Sequence, residues 1–411
     1  MPGWRCSVGL NQMKRLAVLE SGSGIGGAEM NLLRLAPALK ARGWEAVVLV
    51  PAEGTLTREL AGHGIEWRRY ASPRLKSTSR YWGRRVVPDP LAIVYDVAVV
   101  LVQTFAIARV LKRERVAVVH TNSMLSHLSG GLAAKLARVP CVWHLQDIVA
   151  PRSGFGLFLP VLNLAAQAVA TRVICISGAV ARQLSRAGVQ DKIRVIYNGI
   201  DTQEFTPKGE RPFRDGWSGG NGEMVVGQVG RLTPWKGQEL LLGVASRAEK
   251  ENLPVRFVLI GEDGFGLAGY GDKLRGLVKQ LGLGDRVVFA GWLKDMPGAM
   301  RSLDLLVHPS LDPEPFGLAV AEAMACGKPV VVADHGGASE VVGSDGCGVL
   351  FPPGNADACF DAVKSASENR SAFREMGMKA RRRVEANFEF ERFADQVADV
   401  YDSVAAGRRT D

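Results

Sequence analysis

Residues 312–324 read DPEPFGLAVAEAM, a loop rich in proline and acid that leads into a predicted helix. A helix is predicted from Leu318 onward, with Glu314 before it and Glu322 eight positions later within it. Backbone amides from Phe316 onward would point at an anion, because the first amides of a helix lack intrahelical partners. Two carboxylates beside such a site do not favour a phosphate, but they can accept hydrogen bonds from hydroxyl groups. The alternative is that Glu322 is an ordinary helix-surface residue.

Two cations precede this stretch, at the carboxyl end of a predicted strand. Gly230-Arg231 ends that strand and Lys236-Gly237 begins the next helix, so the cations flank one turn. A diphosphate would sit there, because arginine offers a planar fork of donors and lysine a point charge. The alternative is a pair of solvated basic side chains, which the surrounding glycines disfavour.

Short apolar strands alternate with helical patterns on both sides of a polar segment rich in Gly and Pro. The predicted strands cover residues 15–20, 46–50, 116–120, 141–144, 173–176, 193–197, 225–229, 256–260, 287–290, 305–308, 330–333 and 348–351. This alternation predicts an α/β chain of two Rossmann-like, doubly wound domains that face a cleft at the carboxyl ends of their strands. We expect an N-terminal domain at 13–205, a linker at 206–223 and a C-terminal domain at 224–387.

The first predicted strand leads into a glycine-rich turn, GSGIGG at residues 22–27. This turn fits the dinucleotide-binding pattern GxGxxG, and Glu53 stands about where a ribose-binding acid belongs. The same glycines would also let a donor phosphate or an acceptor approach backbone amides at a helix N-terminus. The turn by itself therefore leaves NAD binding and nucleotide-sugar binding both open.

The composition is that of a globular protein, with 47% hydrophobic and 23% charged residues in 411. Six scattered cysteines without a CxxC pair predict reduced, buried thiols and no structural zinc site. Residues 1–12 lack the apolar run of a secretory signal, so we expect a disordered extension there and a second start at Met13. These features predict a cytoplasmic protein.

Much of the formal charge of +9 lies between Arg68 and Arg85, where seven basic and no acidic residues occur. Such a segment suits an anionic membrane or a phosphorylated acceptor, and the alternative is a solvated loop. No nucleic-acid-binding motif accompanies it, so nucleic acid is not an expected partner. The apolar run from Leu91 to Leu111 is long enough to span a bilayer, but spanning would divide the first domain. A buried helix or a helix lying on the membrane remains, and the second places residues 68–111 at the inner face of the membrane.

Taken in order, these motifs resemble the retaining glycosyltransferases of the group 1 family, which have the GT-B architecture. The resemblance covers nearly the whole chain and includes the E-x7-E spacing of Glu314 and Glu322. It implies that the aromatic-rich helix predicted within residues 388–411 crosses back onto the N-terminal domain. The other matching segments are GGAE at 26–29, the segment at His144, Ser177, NGID at 198–201, GR at 230–231, KG at 236–237, GE at 261–262, DLLVHPS at 304–310, FGL at 316–318, EAMACG at 322–327, PVV at 329–331 and Glu340.

The resemblance implies a role for each matching residue in the cleft. Arg231 and Lys236 would hold the donor diphosphate and neutralise it as it leaves. Glu314 would bind hydroxyls of the donor sugar and Glu322 those of the nucleotide ribose, while His144 would face the sugar from the N-terminal domain. The predicted catalytic residues are His144, Arg231, Lys236 and Glu314. The further donor contacts are predicted at Gly26, Gly27, Leu293, Phe316, Gly317, Leu318 and Glu322, with the loop at Leu293 and Lys294 meeting the base.

The family also implies the reaction class, a retaining and metal-independent hexosyl transfer that needs no cofactor. No DxD metal-binding motif occurs in the sequence. The expected donor is a UDP- or GDP-linked sugar, and the expected acceptor is a glycan or lipid-linked molecule of cell-surface polysaccharide or glycolipid biosynthesis. The alternatives are another GT-B enzyme acting on a nucleotide sugar, a non-catalytic nucleotide-sugar-binding protein, and an NAD-dependent oxidoreductase.

Overall fold

The computed structural model describes residues 13–22, 24, 26–73, 79–82, 85–149, 159–184, 189–219, 222–264 and 269–407. The extension expected at residues 1–12 and part of the basic segment lie outside the described residues. Within them the chain forms two parallel sheets covered by helices, which confirms the prediction of two Rossmann-like domains.

The strands of the two sheets follow the predicted apolar runs closely, because strands buried on both faces are apolar throughout. The first sheet has the order β3-β2-β1-β6-β7-β8-β9, the second β12-β11-β10-β13-β14-β15, and β4 with β5 forms a separate antiparallel pair. In chain order the strands are β1 (Lys14–Leu19), β2 (Trp44–Val50), β3 (Glu66–Arg69), β4 (Ser79–Trp82), β5 (Arg85–Pro88), β6 (Val118–Thr121), β7 (Cys141–Leu145), β8 (Arg172–Cys175), β9 (Ile193–Val195), β10 (Met224–Val229), β11 (Val255–Ile260), β12 (Val287–Gly291), β13 (Leu305–His308), β14 (Val330–Ala333) and β15 (Val349–Phe351).

Helices connect the strands and cover both faces of each sheet. The strand order reverses between β1 and β6 and again between β10 and β13, and ligands of doubly wound sheets bind at such points. In chain order the helices are α1 (Gly27–Ala41), α2 (Thr55–Gly62), α3 (Pro90–Arg113), α4 (Met124–Ala137), α5 (Leu159–Val169), α6 (Gly178–Arg182), α7 (Arg214–Ser218), α8 (Gln238–Lys250), α9 (Tyr270–Gln280), α10 (Met296–Ser302), α11 (Leu318–Ala325), α12 (Gly336–Val342), α13 (Ala356–Glu368), α14 (Arg370–Asn387) and α15 (Phe390–Ala406).

The segment between the domains differs from the linker expected at 206–223. Its second half forms α7, which packs against β10 and β11. Arg211 and Arg214 both donate to the Asp304 carboxylate, and the Trp217 ring is buried. An indole and a paired guanidinium anchor this segment to the C-terminal domain, so the freely connecting part of the chain is shorter than its polar composition suggests.

The last helix returns to the N-terminal domain, where α15 packs against α1 and β6. Tyr401 Oη lies 2.7 Å from His120 Nδ1, and the Arg42 guanidinium donates to Asp395 at 2.7 Å. Phe393 is buried in the same core. The C-terminal helix therefore completes the core of the first domain.

The two domains are in contact beside the cleft. Ser177 Oγ donates to the Pro315 carbonyl at 2.6 Å, and the Gly178 amide donates to Glu340 Oε2 at 2.7 Å. The Tyr197 hydroxyl also donates to Glu340. These bonds join α6 and its flanking turn to the loop before α11 and to α12, so they fix the carboxyl edges of the two sheets opposite one another.

Helix α3 lies along the N-terminal domain with one face packed against α4. Ile107 and Leu111 are fully buried in the core, whereas Leu91 and Val94 are exposed. By length and composition α3 could cross a membrane. About a third of its most apolar stretch is buried within the protein. One face of α3 is therefore buried in the domain and the other is exposed, and the membrane-surface alternative stays a prediction.

Candidate active site

The turn after β10 carries the two predicted phosphate-binding cations. Gly237 ends it with a φ of 74°, and a Cβ there would lie 2.0 Å from a backbone carbonyl oxygen, so only glycine fits. The Gln228 side chain donates to the Lys236 carbonyl at 2.7 Å, and the Gln238 side chain donates to the Arg231 carbonyl at 2.9 Å. Two amide side chains and a glycine thus hold Arg231 and Lys236 at the carboxyl end of β10.

The Glu314 carboxylate is held by three side chains. Its Oε1 accepts from Lys236 Nζ at 2.5 Å and from Ser310 Oγ at 2.8 Å, and His308 Nε2 lies 3.4 Å away. Burial by itself would raise the pKa of Glu314, but the Lys236 and His308 charges and their hydrogen bonds lower it well below its ordinary value. Glu314 is therefore an ionised, oriented hydrogen-bond acceptor.

The start of α11 lies directly after this carboxylate. Gly317 caps the helix with a φ of 98°, and a Cβ there would lie 2.9 Å from the Ala338 Cβ. The Gly337 amide donates to the Glu314 carbonyl at 2.6 Å, which fixes the preceding loop. Because the first amides of a helix have no intrahelical partner, those at the start of α11 face the region beside Glu314.

Phe316 is predicted to contact the donor through its backbone amide, and its side chain packs elsewhere. Its ring is buried against Tyr197 and Phe388, so the side chain belongs to the core. An apolar ring between two charged cleft residues packs inward because burial removes its surface from water. Only the backbone of Phe316 remains for a ligand at the cleft.

Glu322 is a half-buried acid within α11, whose first residues follow Glu314. Burial raises the pKa of Glu322 to about 7, while the nearby Arg34 charge lowers it and Glu204 raises it. A carboxyl that titrates near neutral pH in the wall of a cleft is typical of a functional site. It could accept hydrogen bonds from a diol when ionised.

The glycine turn of the N-terminal domain faces α11 across the cleft. A Cβ at Gly27 would lie 3.3 Å from Leu318 Cδ1, so the two predicted contacts are brought together. The Gly26 amide donates to Glu29 Oε2 at 2.8 Å, which caps α1. The structure thereby gathers Gly26 and Gly27 with Leu318 at one end of the cleft.

Asp147 is an acid at the cleft that the sequence patterns did not indicate. It follows β7. Burial raises the pKa of its carboxyl, while the Arg231 charge lowers it and the Glu29 charge raises it. In turn, burial lowers the pKa of the Arg231 guanidinium, and the charges of Glu314, Asp147 and Glu29 raise it. The signal that could have found Asp147 is its position just beyond a strand end, three residues after His144.

The structure places His144 near the end of β7, with its ring buried in the N-terminal domain. The ring is 1% exposed, lies 5.2 Å from the His120 ring and 6.4 Å from the Phe393 ring, and faces α15. Burial lowers its pKa well below the ordinary value. Because side chains alternate along a strand, the buried Trp143 and Leu145 point to the opposite face of β7, towards α4 and α5. The prediction that His144 faces the donor sugar from the N-terminal domain therefore stays a prediction.

Leu293 lies in the loop after β12, where the sequence places the base contact. Its side chain is half-buried and packs against the main core, while the neighbouring Trp292 is 67% exposed.

Over the part of the chain that the structure describes, no three His, Cys, Asp or Glu side chains are placed to hold a metal ion.

One cleft thus contains the cations Arg231 and Lys236, the ionised carboxylate of Glu314, the start of α11 and the carboxyl of Glu322. The cations and amides can bind a diphosphate, and the acids can accept hydrogen bonds from hydroxyl groups. Two family models match the chain: one described as Glycosyltransferase Family 4 over residues 25–204, and one described as Glycosyl transferases group 1 over residues 213–383. The chain belongs to the group 1 glycosyltransferases with the GT-B fold.

Relatives and solved structures agree with this family. The Escherichia coli UDP-Gal:alpha-D-GlcNAc-diphosphoundecaprenol alpha-1,3-galactosyltransferase is 28% identical over 306 residues, which cover 71% of this chain and 77% of that protein. The D-inositol 3-phosphate glycosyltransferase of Rhodococcus erythropolis is 32% identical over 52% of this chain and 49% of its own length. Anabaena HepE, solved with UDP and glucose, superposes with a TM-score of 0.79 at 29% identity, covering 95% of this chain and 100% of that one.

Proposed function

We propose that the protein transfers a hexose-type sugar, with retention of configuration, from a UDP- or GDP-linked donor to a glycan or lipid-linked acceptor of cell-surface polysaccharide or glycolipid biosynthesis. The observation that carries this is the placement of Arg231 and Lys236 beside Glu314 at the start of α11. The HepE complexes with UDP and UDP-glucose and the UDP-Gal substrate named for the Escherichia coli relative support UDP over GDP.

The donor diphosphate would lie between the cations and the first amides of α11. The Lys236 ammonium has three donors, so it can keep its bond to Glu314 while a second donor reaches a phosphate oxygen. The Arg231 fork would take two oxygens of the same group. Glu314 would accept from hydroxyls of the sugar, and Glu322 from the ribose.

Transfer would then proceed on one face of the sugar. The bond between C1 and the diphosphate oxygen breaks, both electrons go to that oxygen, and its growing charge is stabilised by Arg231, Lys236 and the start of α11. The acceptor hydroxyl oxygen attacks C1 from the same side, and its proton goes to the departing phosphate oxygen. The configuration at C1 is kept, and the proton balance requires neither a protein nucleophile nor a metal ion.

A transfer assay tests the proposal. Purified protein is incubated with UDP- and GDP-hexoses and a simple alcohol as surrogate acceptor, and the anomer of the product is read by proton NMR. We expect a product with the anomeric configuration of the sugar donor. In Lys236→Ala the turnover rate should fall about 10²-fold or more, because one preorganised hydrogen-bond donor is lost. The matched control is Lys250→Ala, an exposed lysine at the end of α8, which should leave turnover unchanged.

Different outcomes identify the alternatives. An inverted product would overturn the retaining mechanism. Release of a sugar phosphate, or isomerisation of the donor sugar without transfer, would indicate another GT-B enzyme of nucleotide sugars. Binding of the donor without any turnover would favour a non-catalytic protein.

A further inference from the structure

Three polar side chains form a hydrogen-bonded network at the carboxyl edge of the first sheet. Glu20, Asn122 and Gln146 directly follow β1, β6 and β7, which are neighbours in that sheet. Each lies in phase with the strand residues that pack under α1 and α15, because side chains alternate along a strand. The strand order reverses between β1 and β6, and ligands of doubly wound sheets bind at such a point. We call these three residues the edge network.

The hydrogen bonds of the edge network run in one direction, towards Glu20. Asn122 Nδ2 donates to Glu20 Oε1 at 2.5 Å, and Gln146 Nε2 donates to Asn122 Oδ1. An amide nitrogen can only donate and an amide oxygen can only accept, so Glu20 fixes the orientation of the Asn122 amide, and Asn122 fixes that of Gln146. Gln146 is half-buried, and its Oε1 has no hydrogen-bond partner among the described residues. The edge network therefore presents this one oxygen as an acceptor.

The core of the N-terminal domain holds the edge network from below. Glu20 is 1% and Asn122 is 4% exposed, and Tyr70 Oη donates to the Glu20 carbonyl at 3.1 Å. His120 Nε2 lies 3.5 Å from Asn122 Oδ1, and Tyr401 Oη lies 2.7 Å from His120 Nδ1. Burial lowers the pKa of His120 to about 4 against the effect of the Asn122 bond, so the ring is neutral. Partners of this kind hold a binding group in one orientation before its ligand arrives.

The charges around the edge network select the chemistry of a ligand. Burial raises the pKa of Glu20 to about 8, while the Asn122 hydrogen bond lowers it and the Glu29 charge raises it. The Glu29 charge also raises the pKa of Asp147, the neighbour of Gln146. Within the described part of the chain, no lysine or arginine forms an ion pair with Glu20. A phosphate would meet like charges here, whereas a hydroxyl of an uncharged sugar can donate to Gln146 Oε1.

The edge network lies next to the donor side of the cleft. The Arg231 charge lowers the pKa of Asp147 against the effect of burial, and Glu29 acts on both groups. Because Asp147 directly follows Gln146, a group bound at Gln146 would lie near the residue that is proposed to hold the donor diphosphate. The second substrate of a transfer reaction must bind in such a place, with its hydroxyl close to the bond that breaks.

We infer that Gln146 is a specificity-determining residue for the acceptor, whose Oε1 accepts a hydrogen bond from a hydroxyl of an uncharged sugar. Asn122 and Glu20 are positioning residues, which act by orienting the Gln146 amide. The inference rests on the proposed function, because it concerns the second substrate of that transfer. It narrows the acceptor to a sugar unit that carries no phosphate of its own.

Kinetics with defined acceptors test the inference. The probes are the methyl glycosides of glucose, galactose and mannose and the 6-phosphates of the same glycosides, each with a UDP-hexose as the donor. We expect wild type to have a lower KM for its best neutral glycoside than for the matching phosphate. Gln146→Ala should raise the KM for that neutral glycoside about tenfold through the loss of one hydrogen bond, with the KM for the donor unaltered. The matched control is Gln167→Ala, an exposed glutamine of α5, which should behave as wild type.

Two variants of Glu20 test the positioning role. Glu20→Ala removes the group that orients Asn122, so the KM for the neutral glycoside should rise several-fold, again without a change in the KM for the donor. Glu20→Gln keeps an oxygen for the Asn122 amide, so it should restore the KM to within about twofold of wild type. A purely structural role would instead lower the affinity for UDP and for the glycoside together. The acceptor preference of wild type and the Gln146 variant decide the question if Glu20→Ala does not fold.

Saturation-transfer NMR in the presence of UDP measures binding of the glycosides without turnover. Preference for the phosphorylated glycosides, an unchanged KM in Gln146→Ala, or a Glu20→Gln variant as impaired as Glu20→Ala would each overturn the inference. Binding of a neutral glycoside that Gln146→Ala weakens, without any sugar transfer, would support the binding site and contradict the proposed function alone.

Discussion

Replacement of Lys236 by methionine separates the structural and catalytic roles of its ion pair. Lys236 Nζ lies 2.5 Å from Glu314 Oε1, and the two side chains are only 16% and 14% exposed. Removing one partner of such a pair leaves an uncompensated buried charge, at a cost of about 3–5 kcal/mol in the free energy of unfolding. A loss of about 3 kcal/mol lowers the melting temperature of a domain of this size by roughly 6–12 °C.

The pH dependence has a definite sign. In wild type the lowered pKa of Glu314 gives stability above its ordinary value of 4.5, which is lost as the pH falls through the lower folded-state pKa. In Lys236→Met, burial raises the pKa of Glu314 instead. The stability deficit of the variant should therefore be largest at about pH 8 and shrink as the pH falls towards the ordinary carboxyl range.

The double variant Lys236→Met with Glu314→Gln provides the decisive comparison. It leaves neither charge unpaired, so differential scanning calorimetry should show most of the lost melting temperature restored. Its turnover should stay at least about 10² below wild type, because the donor that stabilises the leaving diphosphate is absent. Wild-type turnover in either variant, or a single variant as stable as wild type at neutral pH, would refute this account of the pair.

The remaining predictions concern other parts of the site. Wild-type affinity for UDP, measured by calorimetry, should weaken as the pH falls below about 7, while Glu322→Gln binds weakly at all pH values; the same pH profile in both would exclude Glu322 as the titrating group. Arg231→Lys should lower kcat about tenfold, since the charge remains but the bidentate fork is lost; an unchanged kcat would contradict diphosphate binding. Gly27→Val should raise the KM for the donor without changing the melting temperature, because its side chain would meet Leu318; an unaltered KM would argue against a donor contact at Gly27. EDTA should leave activity intact, and a collapse would contradict the metal-independent scheme.

The sequence predicts the two sheets well because their strands are buried on both faces. The runs at β1, β10 and β13 are mainly apolar and end at turns, so local pattern and tertiary structure agree. The relation of Arg231 and Lys236 could also be predicted, because both lie on one short turn. The surroundings of Glu314 are less visible, since Ser310 and His308 become its partners only through the fold of the preceding loop.

The prediction that His144 faces the donor sugar stays a prediction, because the surroundings of its ring depend on features that sequence patterns do not contain. The surroundings of a residue at a strand end depend on which face of the sheet its side chain lies on, and on which element covers that face. Here α15 brings Phe393 from the far end of the chain against the imidazole. Asp147 reaches the cleft on a loop whose course no local pattern specifies.

The most direct test of the central claim is a thermal-shift comparison of wild type and Glu322→Ala with UDP, GDP and NAD. A nucleoside diphosphate at 100 times its dissociation constant should stabilise wild type by about 2.7 kcal/mol. The account predicts a clear shift with one diphosphate, the loss of that shift in Glu322→Ala, and no shift with NAD. Stabilisation by NAD alone, or a diphosphate shift that Glu322→Ala retains in full, would contradict it.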